Sequence, residues 1–243
     1  AKSDRSLKLR FHTQTAGFSL TAQQPQNNIS RTAFQALAAV LGGTQSLHTN
    51  SMDETLCLPS QEAAEIALRT QQLIGFETGV TNVVDPLGGS WYVEELTNKM
   101  EKEVYKYFSK IDELGGVIPA IEMGYFQREI AEAASDYQRR VDSKRRIVVG
   151  VNEFTKNDEE IDIPILEIRK EVQNEQIEGL KLLRGKRNNK VVISKLRAIT
   201  DASRTKENLI PLIIDAARAH ATLGELVDSM KVVFGEWQET AVV

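Results

Sequence analysis

Leu7, Leu9 and Phe11 alternate with Lys8, Arg10 and His12 as far as Thr13, and a period of two is the pattern of a half-exposed strand. A stretch rich in Gly, Pro and Asn, from Gly17 to Asn28, reads as a loop. Ile29, Ala33, Ala36, Leu37 and Val40 then recur at helical spacing. Asn28 is the expected N-cap of that helix and Gly42-Gly43 its stop. Thr44 to Asn50 is short and rich in hydrogen-bonding side chains, and reads as a second strand. Pro59-Ser60 opens another helix through Ala64, Ala67, Leu68 and Ile74, ending near Gly79. Strand, helix, strand, helix in that order is a βαβα unit. Such units place their chemistry at the C-terminal ends of the strands.

Past Gly79 the periodicity becomes almost wholly helical. Asp85 to Ser90 is a turn-rich loop. Val93, Leu96, Met100, Val104, Tyr107, Ile111 and Leu114 then form one apolar stripe, expected to lie in a core or subunit interface and to stop at Gly115-Gly116. A further helix is expected from Tyr125 to Asp142, with Phe126, Ile130, Ala133, Tyr137 and Val141 on one face. Ile147 to Val151 reads as a short strand or extended arm, and Asn152 to Asp162 as a charged linker. Helices are expected over Arg169–Leu183, Lys190–Ser203, Asn208–Ala221 and Leu223–Phe234, the last opened by a capping box from Thr222 and Glu225. The organisation expected is two βα units over residues 1–84 and a helical extension over 85–243, with the arm at 147–151. A complete (β/α)8 barrel takes about 250 residues, and only two strands are legible. The fold class expected is therefore mostly helical α/β, with any barrel present only as a piece.

Composition narrows the function classes. The 243 residues are 41% hydrophobic and 26% charged, which suits a globular protein. Lys and Arg total 30 against 34 for Asp and Glu, a net charge of −4 that argues against a nucleic-acid footprint. The longest apolar runs, Val117–Ile121 and Pro211–Ile214, are too short to span a bilayer, so no membrane role is expected. Cys57 is the single cysteine, so no intrachain disulfide forms, and a reducing cytoplasm fits. The opening Ala-Lys-Ser-Asp carries no secretory signal pattern and suits either a processed start or a portion of something longer.

The candidate chemistry lies at two strand ends, His12-Thr13-Gln14-Thr15-Ala16-Gly17 and Thr44-Gln45-Ser46-Leu47-His48-Thr49-Asn50, followed by Asp53-Glu54. Amides, hydroxyls and imidazoles beside glycine suit a large polar ligand held by many neutral hydrogen bonds. The competing reading is a set of capped strands and satisfied loops. His12, His48, Asp53 and Glu54 lack the spacing of a metal motif, so no metal site is expected. Cys57 just before Leu58-Pro59 reads as a packed thiol rather than a nucleophile. Gly42-Gly43-Thr44 and Gly88-Gly89-Ser90 match no phosphate loop. Arg139-Arg140 and Lys144-Arg145-Arg146 read as a solvated helix end.

His12 to Thr21, Asn27-Asn28 and Arg31-Thr32-Ala33 resemble the methylmalonyl-CoA mutase family, specifically its large subunits. The resemblance continues through Gly43 to Ser51, Asp53-Glu54, Leu58-Pro59, Asp85-Pro86, Gly89-Ser90, Val149-Gly150-Val151-Asn152 and Thr222–Phe234. It implies the C-terminal piece of a (β/α)8 barrel, threaded by coenzyme A, plus a helical extension. It also implies adenosylcobalamin as cofactor, and a radical rearrangement between (R)-methylmalonyl-CoA and succinyl-CoA. The cofactor carries the hard chemistry in such enzymes and the protein binds, orients and excludes water.

Position by position, the resemblance implies that Gln14 and Gly17 lie beside the corrin and that Glu54 bonds the adenosyl ribose. Cys57 takes the place of a small residue against the cofactor. Gln45 matches a glutamine of the coenzyme A channel, and Arg5 a basic position near coenzyme A where lysine is more familiar. His12 and His48 are expected to support rather than catalyse. The family's substrate-orienting tyrosine and thioester-facing histidine have no matching segment here, so no catalytic residue is expected in this chain. The Asp-x-His-x-x-Gly signature is absent as well, so the cobalt ligand is expected from a separate cobalamin-binding domain or small subunit. The implied partners are that subunit, the N-terminal half of the large subunit and an acyl-CoA, in a dimer or hetero-oligomer. The alternatives are an isobutyryl- or ethylmalonyl-CoA mutase, or a non-catalytic assembly module docking the cobalamin subunit.

Overall fold

The computed structural model describes residues 2–157 and 163–239; the end of the expected charged linker, 158–162, lies outside them. The chain divides into two units, one up to Leu166 and one from Glu167. The boundary expected at 84/85 falls within the first unit, just past a 3-10 turn at Val80–Asn82.

The first unit begins with α1 (Asp4–Leu7), β1 (His12–Gln14), a 3-10 turn at Gly17–Ser19, α2 (Asn27–Leu41), β2 (Ser46–His48) and α3 (Gln61–Glu77). β1 and β2 pair in parallel, His12 opposite Ser46 and Gln14 opposite His48. Parallel neighbours need a crossover, and α2 supplies it. Side chains alternate across a strand. Thr13 and Leu47 are half-buried, while His12, Gln14, Ser46 and His48 are exposed. The βαβα reading therefore holds as a two-stranded parallel sheet with two packed helices.

The first strand is shorter than its alternation suggests. Ser3 caps α1 through Ser6 N at 3.3 Å, and Leu7 and Leu9 stay 66% and 70% exposed. Pairing begins only at His12, where β2 lies alongside. Asn28 is not the N-cap of α2. Gln26 stands there, and Asn28 is fully buried within the first turn. The Ser60 start of α3 is as expected, its Oγ accepting from Ala63 N at 3.2 Å.

α4 (Trp91–Glu113), α5 (Val117–Glu122) and α6 (Tyr125–Asp142) complete the first unit. The α4 stripe buries nothing: Leu96, Met100 and Val104 are 43%, 63% and 45% exposed. Its pattern is amphipathic, but the described residues cover only its ends, where Val93, Ile111 and Leu114 are half-buried, and leave its middle exposed. Residues 147–151 form no strand; they make a turn closed by an isolated bridge between Val149 and Glu153. Asn152 folds that turn, accepting from Val148 N at 2.7 Å and donating to the carbonyls of Val141 and Arg146. The basic cluster beside it is a solvated helix end: Arg140 pairs with Asp136, Lys144 with Glu153, and Arg146 lies over the Tyr137 ring.

The second unit holds α7 (Lys170–Lys186), α8 (Asn189–Ala202), α9 (Ile210–Arg218) and α10 (Leu223–Phe234). Ile199, Ala216 and Leu226 make its core, with Leu196, Leu212, Ile213 and Met230 against them. Each large apolar side chain fully removed from water there contributes about 1.5–3 kcal/mol. The Thr222–Glu225 capping box is present. No helix among the described residues is long and apolar enough to cross a membrane.

Candidate functional site

Beyond Gln14 and His48 the parallel ladder continues through one bond, Thr15 N to His48 O at 3.1 Å. The side chains then take over. Thr15 Oγ1 donates to Asn50 Oδ1 at 2.8 Å and accepts from Asn50 N at 3.0 Å. Both residues are buried, so this reciprocal pair ties the two strand ends together. Gln14 Nε2 reaches the same Asn50 oxygen at 3.5 Å.

The loop into α3 is built on Asp53, which is fully buried. Its carbonyl accepts from Leu56 N and Cys57 N at 2.8 and 3.1 Å, and its Oδ2 accepts from Ser60 N at 2.8 Å. That fold brings Glu54 and Cys57 onto a cavity of about 540 Å³, which Gln14, His48 and α3 also line. Gly17 is not part of that lining but packs on Glu54. A Cβ there would sit 2.6 Å from Glu54 Oε1 and 2.9 Å from Asn50 Nδ2, so a larger residue would have to push those side-chain ends aside. Asn50 Nδ2 and Asp53 Oδ1 are buried without a partner among the described residues, each a cost of about 1–3 kcal/mol.

Gln14, Gly17, Glu54 and Cys57 are thus one cluster. Gln45 is apart from it. It immediately precedes β2 and lines a second cavity of about 470 Å³ with Leu9, Phe11, Gly43 and Val83, at the opposite end of the strands. Arg5, on α1, is exposed and lines neither cavity. Of the histidines, His12 bonds Ser46 Oγ at 2.7 Å, while His48 lines the first cavity. Among the described residues no group of three or more His, Cys, Asp or Glu is placed to hold a metal ion.

Sequence reasoning missed two contributions. α3 supplies Ala64, Ala67, Leu68 and Gln71 to the cavity wall, and the signal for it was the run of small residues at helical spacing. The other is a polar stripe on α2, where Asn28, Arg31, Thr32 and Gln35 hold the site loops.

The family model described as methylmalonyl-CoA mutase matches residues 1–236. The chain belongs to the methylmalonyl-CoA mutase family. It is 45% identical over 238 residues to the methylmalonyl-CoA mutase of Escherichia coli, covering 98% of this chain and 33% of that protein. It is 44% identical over 237 residues to the human mitochondrial methylmalonyl-CoA mutase, covering 97% and 32%. It is also 42% identical over 243 residues to the 2-hydroxyisobutanoyl-CoA mutase large subunit of Aquincola tertiaricarbonis, covering 100% and 43%. This member of the mutase family therefore spans less than half the length of these relatives.

Proposed function

We propose that this chain is the cofactor-facing part of an adenosylcobalamin-dependent acyl-CoA mutase interconverting (R)-methylmalonyl-CoA and succinyl-CoA. The observation that carries the reading is the convergence of Gln14, at the end of β1, with Glu54 and Cys57, from the loop after β2, on one cavity, with Gly17 packed on Glu54. The donor set fits the adenosyl side of the cofactor. The Glu54 carboxylate makes no hydrogen bond or ion pair among the described residues and is free to accept from ribose hydroxyls. Gly17 leaves bare backbone for close approach, and Asn50 Nδ2 is a donor still lacking an acceptor. The bound cofactor supplies homolytic, one-electron chemistry. Around it Gln14 orients through a neutral amide, Cys57 packs as a small polarisable side chain, and Leu58, Pro59, Ala67 and Leu68 exclude water. No residue of this chain is assigned proton transfer. Gln45 and Arg5 are assigned to coenzyme A, Gln45 from the far end of the strands.

The outer edges of β1 and β2, each without a paired neighbour among the described residues, support a partner that completes the sheet. We assign that role to the N-terminal half of the large subunit, and the cobalt ligand to a separate cobalamin-binding subunit. A second reading, an assembly module docking that subunit, is favoured by the exposed α4 stripe alone.

The deciding experiment supplies the folded chain with methylmalonyl-CoA, adenosylcobalamin and a cobalamin-binding subunit, with and without an N-terminal half, and reads succinyl-CoA by mass. Turnover only with that half is the expected result. Turnover by the chain alone would overturn the missing-group reading. No turnover in either mixture would favour the assembly module, and preference for a 2-hydroxyisobutanoyl substrate would reassign the acyl group.

A further inference from the structure

Arg31 lies on α2, lines neither cavity, and has no carboxylate partner among the described residues. All its acceptors among them are neutral oxygens. Nη1 donates to Asn28 Oδ1 at 2.8 Å and Thr21 Oγ1 at 2.9 Å, and Nη2 to the carbonyl of Val149 at 2.7 Å. Asn28, fully buried, accepts from Thr21 N at 3.0 Å and donates through Nδ2 to the carbonyls of Thr21 and Met52, both at 2.9 Å. Thr32, one turn along, donates to Asn50 O at 3.4 Å. A continuous path of hydrogen bonds therefore runs from the 148–154 turn, through Arg31 and Asn28, into the loop that carries Glu54 and Cys57. The turn is held at a second point, where Gln24 Nε2 donates to Phe154 O at 2.9 Å. Gly150, at φ +81°, packs so closely on Gln24 that a Cβ would lie 3.0 Å from its Cδ.

From this path we infer that Arg31 is a positioning residue, through which the remote 148–154 turn holds the Asn50–Cys57 loop in its site geometry. A planar guanidinium bridges two elements with its two arms, which an ammonium does not do. Its acceptors among the described residues are backbone, amide and hydroxyl oxygens, so the bridge acts on geometry rather than on net charge. It rests on the mutase reading only in naming that loop a site. The Val149-Gly150-Val151-Asn152 motif gains a role in the same step, as the outer anchor of the clamp.

Cys57, the chain's single cysteine and half-buried in that loop, reports on it directly. The iodoacetamide alkylation rate of the full chain is measured at increasing urea, well below the unfolding midpoint. Local opening gives a rate nearly independent of urea, whereas opening through global unfolding follows the full equilibrium slope. Arg31→Gln and Arg31→Lys are both expected to raise the urea-independent rate about tenfold. Gly150→Ala, which touches neither Arg31 nor the loop, is expected to raise it severalfold. Equal protection in Arg31→Lys and the parent chain would overturn the bridging role. Variants with a lowered unfolding midpoint and only the global-slope component would show Arg31 to be a stabilising residue and nothing more. Should Arg31→Gln fail to fold, Arg31→Lys and Gly150→Ala carry the test. Mutase turnover does not enter the readout, so failure here leaves the proposed function standing, and the reverse holds.

Discussion

Around the ends of β1 and β2 seven polar side chains are buried, Thr15, Asn28, Thr32, Thr49, Asn50, Ser51 and Asp53, beside Leu20 and small alanines, whereas α8, α9 and α10 are built on buried Ile199, Ala216 and Leu226. Apolar burial is non-directional, and it stabilises helices without dictating where any one atom points. Hydrogen bonds are directional, and a buried network fixes positions at the risk of orphaned groups. The strand-end region carries that risk openly in Asn50 Nδ2 and Asp53 Oδ1. On the proposed function, a site that holds a ligand by neutral contacts needs positions more than bulk stability, whereas the second unit is organised around an apolar core.

The sharpest way to break this comparison is to replace the hub of each region. Asn28→Leu leaves Thr21 N, Thr21 O and Met52 O without their partner, and at about 1–3 kcal/mol for each buried orphan the expected loss is about 4 kcal/mol. Ile199→Ala opens a cavity in the α8–α10 core, with an expected loss of about 3 kcal/mol. Urea unfolding read unit by unit through amide exchange checks both. A smaller loss for Asn28→Leu than for Ile199→Ala would mean that the polar network is ornamental to folding.

The same contrast explains what was legible in the chain. The parallel βα order, the Ser60 cap, the α6 limits and the Thr222 capping box were readable because each depends on local chemistry. The strand-end pattern already set Gln14, Gly17 and Glu54 in one candidate surface, whereas Cys57 joined them only by resemblance; residues about forty apart in sequence meet through the sheet register. Asn28 misled because an asparagine before an apolar run is a good cap. Here the chain enters α2 earlier, and its buried amide serves Met52 in another loop. The alternation from Leu7 to Phe11 misled for a related reason: a strand forms only where a neighbour pairs with it, and β2 reaches no further than His12.

The second unit is not wholly apolar, and its Arg187–Glu225 pair separates the regions by pH. Arg187, 7% exposed, grips Glu225 with both arms, while Thr222 N and Oγ1 donate to the same carboxylate. The Arg187 hydrogen bond, ahead of the Thr222 donors, lowers the Glu225 pKa from 4.5 to about 2. A carboxylate depressed in the folded state stabilises fully above its unfolded pKa, and that contribution is lost as pH falls from 4.5 to about 2. After allowing for solvent screening, the expected loss is about 2 kcal/mol. Glu225→Gln should remove this acid-side decline in the α8–α10 amides. An undiminished decline would place the acid sensitivity elsewhere.

The smallest expected effect concerns α4. Its stripe has the spacing of a core helix, yet Met100 is 63% exposed. Exposed substitutions by a good helix former change stability by no more than about 0.5 kcal/mol, whereas a buried methionine would cost about 2–5 kcal/mol. Met100→Gln is therefore expected to leave the unfolding midpoint of the isolated chain unmoved. If the stripe docks the cobalamin subunit, the same variant weakens that association, seen as a lost shift in solution mass on mixing. An unmoved midpoint with unaltered association leaves the stripe to a different partner surface. A loss of several kcal/mol would mean that α4 packs in a core, and would bring it under the same apolar rule as α8–α10.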